Sequence, residues 1–468
     1  MTHPGNHLTL VPDVLVIGGG NAALCAAISA RRRGANVVVL ERASRAWRGG
    51  NSKYTRNIRC AHDGGGPMEG SYSETEFAAD LEGVTGDGAD AELTAMTIHR
   101  SRELPDWMER NGVRWQPALR GTLGLSRTNR FFLGGGKALM NVYYATAAKI
   151  GVQIAYEHGV EELAFAGDRC VAAVVRTAAG TLTLTPRTVV AAAGGFEASH
   201  EWLSEYWGDG ARNYMVRGTR QNDGTILRCL IDAGARTRGN PRGFHAIAVD
   251  ARGPRFEGGI VTRVDSVPFS VMLNREGQRF YDEGEDVWPK RYATWGGLIA
   301  AQPGQVAYSI FDRKSAGRFM STAYRAEQAD SLPELAAKLG LPVAAAVATI
   351  DAYNASLNGG TFDPTRLDDC ATTGLKPPKS HWAQPIDEPP FGGYMLRPGI
   401  TFTYLGVAVD NSARVLRERG GRFANVFAAG EIMAGNILRR GYLAGFGMTI
   451  GTVFGRLAGE EAAAHARA

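Results

Sequence analysis

Four apolar residues, Val14 to Ile17, run without a break into Gly18-Gly19-Gly20. A run that short, ended by glycine, reads as a strand buried on both faces. Small residues then recur at Ala22, Ala23, Ala26, Ala27 and Ala30, which share one helical face, and Val37 to Leu40 repeats the buried-strand pattern before Glu41. The segment therefore predicts strand, glycine turn, helix and strand. Apolar runs ending in glycine return at 187–199 (RTVVAAAGGFEAS) and in FANVFAAGEIMAGN near the C-terminus. Between about 241 and 390 the pattern changes. VPFSVMLNREGQRFYDEGED (267–286) predicts a strand, an Asn-Arg-Glu-Gly turn and a second strand, and GQVAYSIFDRKSAGRFM (304–320) a strand followed by a charged turn. SLPELAAKLGLPVAAAVATIDAYNASLNGG predicts two helices, the first capped by Ser331 and the second opened by Leu341-Pro342. The proline-rich stretch LKPPKSHWAQPIDEPPFGG predicts no helix and reads as a linker back to the first pattern.

The N-terminal unit carries a specific chemistry. Gly18, Gly20 and Ala23 follow the G-x-G-x-x-G/A spacing. The first glycine permits the tight turn, the second lets a pyrophosphate approach the amides, and the third small residue lets helix and strand pack closely. The helix N-terminus offers free N–H groups and a positive dipole to a phosphate. Glu41 ends the second strand, where a carboxylate accepts ribose hydroxyls. The downstream segments separate FAD from NAD. RGGNSKYTRNIR (48–59) supplies a polar loop, and two further strand–glycine turns follow at 193–195 and 430–431. A chain that returns to its nucleotide from four positions suits a long, extended FAD.

Composition adds limits. The 60 glycines among 468 residues are aperiodic, which argues against collagen and solenoid arrays. The net charge of +5 is modest and spread along the chain, so nucleic-acid binding has little support. Five scattered cysteines without a CxxC pair predict a reducing compartment, with no disulfide framework and no zinc, iron–sulfur or haem site. With no signal-like N-terminus and no apolar run of membrane-spanning length, the expectation is a cytoplasmic protein. No His, Ser or Cys constellation points to hydrolysis.

GNILRRGYLAGFGMTIGTVFGRLAG (435–459) sets Arg439 and Arg440 directly before a glycine turn, followed by Gly447, Gly451, Gly455 and Gly459 on one helical face. Adjacent cations entering close packing call for an anion. In order, these segments resemble the FAD-binding family of fumarate reductase and succinate dehydrogenase flavoproteins and ketosteroid dehydrogenases, over nearly the whole chain. Within it, GGNSKYTRNIRCAHD, FFLGGGKALMNVYY, PGITFTYLGVAVD and ILRRGYLAGFGMTIG most resemble the tricarballylate dehydrogenases.

The resemblance implies an α/β fold: a Rossmann-like FAD-binding domain (1–240 and 391–468) with an inserted α+β capping domain (241–390). It implies cofactor contacts at Gly18, Gly20, Asn21, Ala22, Glu41, Arg42, Gly50, Asn51, Ser52, Val160, Ala193, Gly194, Asp223, Gly430, Glu431, Gly447 and Met448. Arg440 or Arg439 takes the place of the arginine that clamps a substrate carboxylate. Thr401 and Thr403 stand where the reductases bind substrate through histidine, and Arg291 adds a cation beside the cap. The reductases carry the proton on an arginine after an I-F-D stretch. Here IFDRKSAGRF shifts the register, so Arg313 is the first choice, with Arg318, Tyr404, Tyr281 and Glu283 as alternatives. Non-covalent FAD is expected, because the early loop lacks the family's attachment histidine.

The implied activity is oxidation of a C–C bond to C=C in a small polycarboxylate, foremost tricarballylate to cis-aconitate, by hydride transfer to flavin N5 with proton abstraction. A separate redox protein, membrane-associated in that family, is the implied electron acceptor, which would bring the enzyme to the inner face of the membrane. The rival readings are a 3-ketosteroid Δ1-dehydrogenase, a fumarate reductase-like enzyme and a flavin-binding regulator without turnover.

Overall fold

The computed structural model describes residues 8–66, 68–118, 125–320 and 322–467. Val14–Ile17 is a fully buried strand at the centre of a six-stranded sheet. It pairs in parallel with Val37–Glu41 on one side and Thr188–Ala191 on the other. Gln153–Tyr156 extends one edge, and Arg422–Ala428 extends the other in parallel, followed by the antiparallel Arg414–Leu416. Residues buried on both faces explain why these strands read as unbroken apolar runs.

The helix Asn21–Arg32 packs on this sheet, and the final helix Phe446–His465 packs on that helix. The glycine face predicted from 447–459 is what allows this contact. A methyl at Gly455 would lie 2.5 Å from the carbonyl oxygen of Ala22, and one at Gly459 2.2 Å from that of Ala26. Asn21 joins the helices by donating to Met448 O and to the Thr452 hydroxyl at 2.9 Å.

A second sheet is built around the long strand Phe391–Thr403. Phe244–Asp250, Ala307–Phe311 and Glu327–Ala329 pair with it antiparallel, and Met215–Val216 in parallel. Val271–Asn274 joins beyond Ala307–Phe311. Its own core includes Leu273, Tyr308, Ile310, Leu335, Ile350 and Tyr353. The helices Leu332–Leu339 and Val343–Ala355 cover it, and Ser331 caps the first by accepting from Glu334 N–H. This sheet draws strands from both sides of the 241–390 segment. The central one runs out of the second core and delivers Thr401 and Phe402 to the space between the sheets. No helix of the described residues is long and apolar enough to cross a membrane.

Candidate active site

A cavity of about 520 Å³ opens at the C-terminal ends of the central strands, where open α/β sheets bind ligands. Its walls include Gly18–Ala22 after the first strand, Ala192–Gly195 after Thr188–Ala191, and Ala429–Glu431 after Arg422–Ala428. Every residue predicted to contact the cofactor lines it: Gly18, Gly20, Asn21, Ala22, Glu41, Arg42, Gly50, Asn51, Ser52, Val160, Ala193, Gly194, Asp223, Gly430, Glu431, Gly447 and Met448.

The nucleotide end is shaped by close backbone approach. Gly18 has φ +117, and a methyl there would lie 2.3 Å from Ala192 O. One at Gly19 would strike Glu41 Oε2 and the Tyr144 hydroxyl. Gly20, at the N-cap position of Asn21–Arg32, has no side chain to cap the helix, and Asn21 N–H donates instead to Ser52 Oγ at 2.9 Å. Glu41 is buried and accepts from the N–H groups of Ala43 and Gly49 and from the Tyr144 hydroxyl. Burial raises its pKa above the usual 4.5, against the lowering effect of these donors. Arg42 and Asp223, contributed by opposite walls, meet at 2.6 Å.

The other end of the cavity is cationic. Arg56, Arg217 and Arg263 line it, with Asp265 as the carboxylate that pairs with Arg263. Asp265 also accepts the Trp288 indole N–H at 2.6 Å. Among the described residues, no carboxylate lies within ion-pair distance of Arg56 or Arg217, and Arg217 Nε is buried without a partner. Burial first, with help from neighbouring arginines, lowers the pKa of each to about 10.

His245, Tyr292, Thr401 and Tyr442 complete this end. Arg217 Nη2 donates to Thr401 Oγ1 at 3.1 Å, and that oxygen lies 2.7 Å from His245 Nδ1. His245 Nε2 lies 3.2 Å from the Tyr292 hydroxyl. Burial, then Arg217 and Arg263, drives the His245 pKa well below 6.5, so the ring is neutral at neutral pH. With Arg217 donating to Thr401, a consistent proton order runs from the Thr401 hydroxyl to Nδ1 and from Nε2–H to the Tyr292 oxygen. That order leaves the Tyr292 proton free. Burial raises the Tyr292 pKa, while Arg263, Arg217, Arg56 and Arg59 oppose the rise. Arg263 lies over the Tyr292 ring at 4.7 Å. The Tyr442 hydroxyl accepts Gly447 N–H at 2.7 Å, leaving its own hydrogen to donate.

Several predicted substrate and catalytic residues lie elsewhere. Arg439 donates its backbone N–H to Thr85 Oγ1 and its guanidinium to Gly88 O, while Arg440 is exposed beside Gly86. Neither lines the cavity, because the turn swings Tyr442 inward in their place. Arg313 is exposed and pairs with Glu388 at 2.9 Å, whereas Arg318 of the same stretch reaches the cavity wall. Tyr404 is fully buried behind Phe402 and donates to Gly441 O. Thr401 lines the cavity, but Thr403 is turned into the protein, bonded to Phe196 N–H and Glu431. Arg291 pairs with Glu285, and its neighbour Tyr292 takes the cavity position. Of the remaining alternatives, Glu283 is locked to Arg279 and Tyr281 to Glu285.

The decisive comparison is with the family described as FAD binding domain, which matches residues 13–445. The chain belongs to this family. It is an FAD-dependent oxidoreductase acting on CH–CH groups. It is 26% identical to the 4-oxocyclohexanecarboxylate 2-dehydrogenase of Sinomonas cyclohexanicum, covering 97% of this chain and 93% of that protein. To the NADH:fumarate oxidoreductase of Klebsiella pneumoniae (strain 342) it is 25% identical over 97% of this chain, spanning 48% of that protein. Its fold resembles the crystal structure of the 3-ketosteroid-Δ4-(5α)-dehydrogenase of Rhodococcus jostii RHA1, with TM-score 0.74 and 23% identity over 98% of each chain. The cradle at Gly18 and Gly19, the glycine-led helix start and the extended cavity fit FAD.

Proposed function

We propose that this enzyme dehydrogenates a small carboxylic acid, with tricarballylate to cis-aconitate as the foremost instance. One observation carries the reading: three arginines converge on the end of the cavity away from the nucleotide, against a single carboxylate. Holding that much positive charge in a dry site is costly without an anion. A polycarboxylate supplies several, and planar guanidinium groups meet carboxylates through paired hydrogen bonds. The same cations favour charge developing on the substrate as its C–H bond breaks.

Bound FAD supplies the hydride acceptor at its ring N5. Arg217, Arg263 and Arg56 hold the carboxylates in place of the expected Arg439 and Arg440. Tyr292, once its own proton has left to solvent, takes the substrate proton as a phenolate that His245 Nε2–H and the nearby arginines stabilise, with Thr401 orienting His245. Segment 241–390 serves as a cap whose loop at Gly317–Met320 closes the cavity and excludes water. A separate redox protein receives the electrons.

A second reading rests on Tyr442, whose free hydroxyl hydrogen would suit a ketone oxygen. The substrate would then be an oxo acid with one carboxylate, of the kind named for the Sinomonas relative. Anaerobic additions of tricarballylate, succinate, 4-oxocyclohexanecarboxylate and a 3-ketosteroid to the purified flavoprotein decide between them. Bleaching of the flavin by tricarballylate is the expected result. Bleaching by the oxo acid alone selects the second reading, and bleaching by the steroid alone overturns both.

A further inference from the structure

Glu197 and Glu431 come from the turns that follow two neighbouring parallel strands, Thr188–Ala191 and Arg422–Ala428. Glu197 is fully buried. Its Oε1 accepts Nδ2–H groups from Asn51 at 2.5 Å and Asn222 at 2.8 Å, while its buried Oε2 has no hydrogen-bond partner. Glu431 Oε1 accepts the backbone N–H of Thr403 at 2.9 Å and its hydroxyl at 3.3 Å. Both carboxyls face Gly195, where a methyl would lie 2.3 Å from Glu431 Oε1 and 2.9 Å from Glu197 Oε2. The two carboxyls thus approach each other across this glycine, with no donor from another residue on Glu197 Oε2. Among the described residues no arginine or lysine pairs with either, and the other titratable groups facing Glu431 are the phenols of Tyr404 and Tyr442.

Two ionised carboxylates are both acceptors, so groups this close can bond to each other only if one carries a proton. Without a cation to compensate, two carboxylates this close, one of them fully buried, resist ionising together.

We propose that Glu197 and Glu431 share one proton in the folded enzyme, and that this proton holds the wall of the FAD cavity together. Glu197 is a positioning residue in this arrangement. The Asn51 amide that it anchors also donates to Thr401 O at 2.8 Å, and its Oδ1 accepts Thr219 N–H at 2.8 Å. Asn222, its other donor, packs against Gly194. One carboxyl thereby ties together the 50–52 loop, the 219–222 turn, the strand end at 401 and, through the shared proton, the turn at 430. Loss of that proton sets two negative charges against each other and separates the turns between which the cofactor lies. The inference does not depend on which substrate is bound.

The sign follows from the direction of the shift. Burial raises both groups above the ordinary 4.5, and the neighbouring carboxylate adds to the rise for Glu431. Cohesion is complete at low pH and is lost as pH climbs through the raised value of the pair. FAD affinity therefore falls toward alkaline pH.

The test uses the FAD-loaded protein, Glu197→Gln and Glu431→Gln. Infrared spectroscopy at neutral pH should show a protonated-carboxyl band in the wild type that is absent from both variants, since each glutamine supplies a permanent N–H in place of the proton. Free-flavin fluorescence, followed from about pH 6 to about pH 10, should show FAD release rising about tenfold in the wild type and staying level in Glu197→Gln. A wild type without the band overturns the proposal, whether or not the variants fold. A band that persists in both variants belongs to another buried carboxyl, such as Glu41, and overturns it equally. Identical release profiles in the wild type and both variants also refute it.

Discussion

Arg217 reaches the hydroxyl of Thr401 across 3.1 Å and leaves its own Nε buried without a partner. A guanidinium held by one neutral hydroxyl keeps most of its donors for something else, and among the described residues no carboxylate lies within ion-pair distance to take them.

Replacing Arg217 by Lys keeps the charge but removes the planar fork. KM for the carboxylate substrate should rise tenfold or more, since a hydrogen bond to a charged group contributes roughly 1.5–3 kcal/mol. Arg439→Lys and Arg440→Lys should leave KM within about twofold, because surface substitutions of this kind usually cost less than about 0.5 kcal/mol. Steady-state assays with a dye acceptor give all three values. A normal KM in Arg217→Lys together with a raised one in Arg440→Lys would restore the clamp to the outer turn.

Tyr292→Phe removes the hydroxyl while keeping the ring beneath Arg263. Flavin reduction should slow by about 10²–10⁴-fold, the usual contribution of a placed acid or base, with substrate affinity little changed. Stopped-flow reduction under anaerobic conditions separates rate from binding. A change confined to affinity would make Tyr292 a binding residue only.

The two unpaired arginines also set a pH dependence. Arg56 and Arg217 stay charged below about 10, so carboxylate binding should hold from neutral pH upward and fall as pH rises through about 10. His245 is already neutral, so no step is expected near 6.5. Calorimetric titration with tricarballylate across this range checks both statements. Binding that weakens steadily between pH 6 and 8 would contradict them.

Gly459→Val would drive a branched side chain into the backbone carbonyl of Ala26, 2.2 Å from where its first carbon must lie. Backbone cannot yield as a flexible side chain can, so a loss of about 1–3 kcal/mol or more is expected. Thermal unfolding with and without added FAD measures it. Unchanged stability would mean that the two helices separate without cost.

The nucleotide half of the molecule was legible because its signals are local. Gly18, Gly20 and Glu41 lie within one strand–helix–strand unit, and the later turns repeat its strand-then-glycine form. The substrate end had no such signature. Arg56, Arg217, Arg263, His245 and Thr401 reach one space from distant segments, and no spacing links them. The long strand Phe391–Thr403 hid a second fact, since it belongs to the cap sheet at one end and to the cavity at the other. The arginine pair misled for a geometric reason. Gly441 and Gly445 both adopt positive φ on either side of the segment, and the residue facing inward is Tyr442.

The packing of Gly455 and Gly459 against Ala22 and Ala26 has a consequence for synthesis on the ribosome. The first strand gains one sheet neighbour early, in Val37–Glu41, but its other neighbour only after residue 188, and the first helix its covering helix only when Phe446–His465 arrives. Until then a small-residue surface waits uncovered, and sheet formation spans almost the full sequence distance. The nascent protein should consequently complete its nucleotide pocket in one late step, after Phe446–His465 has been made.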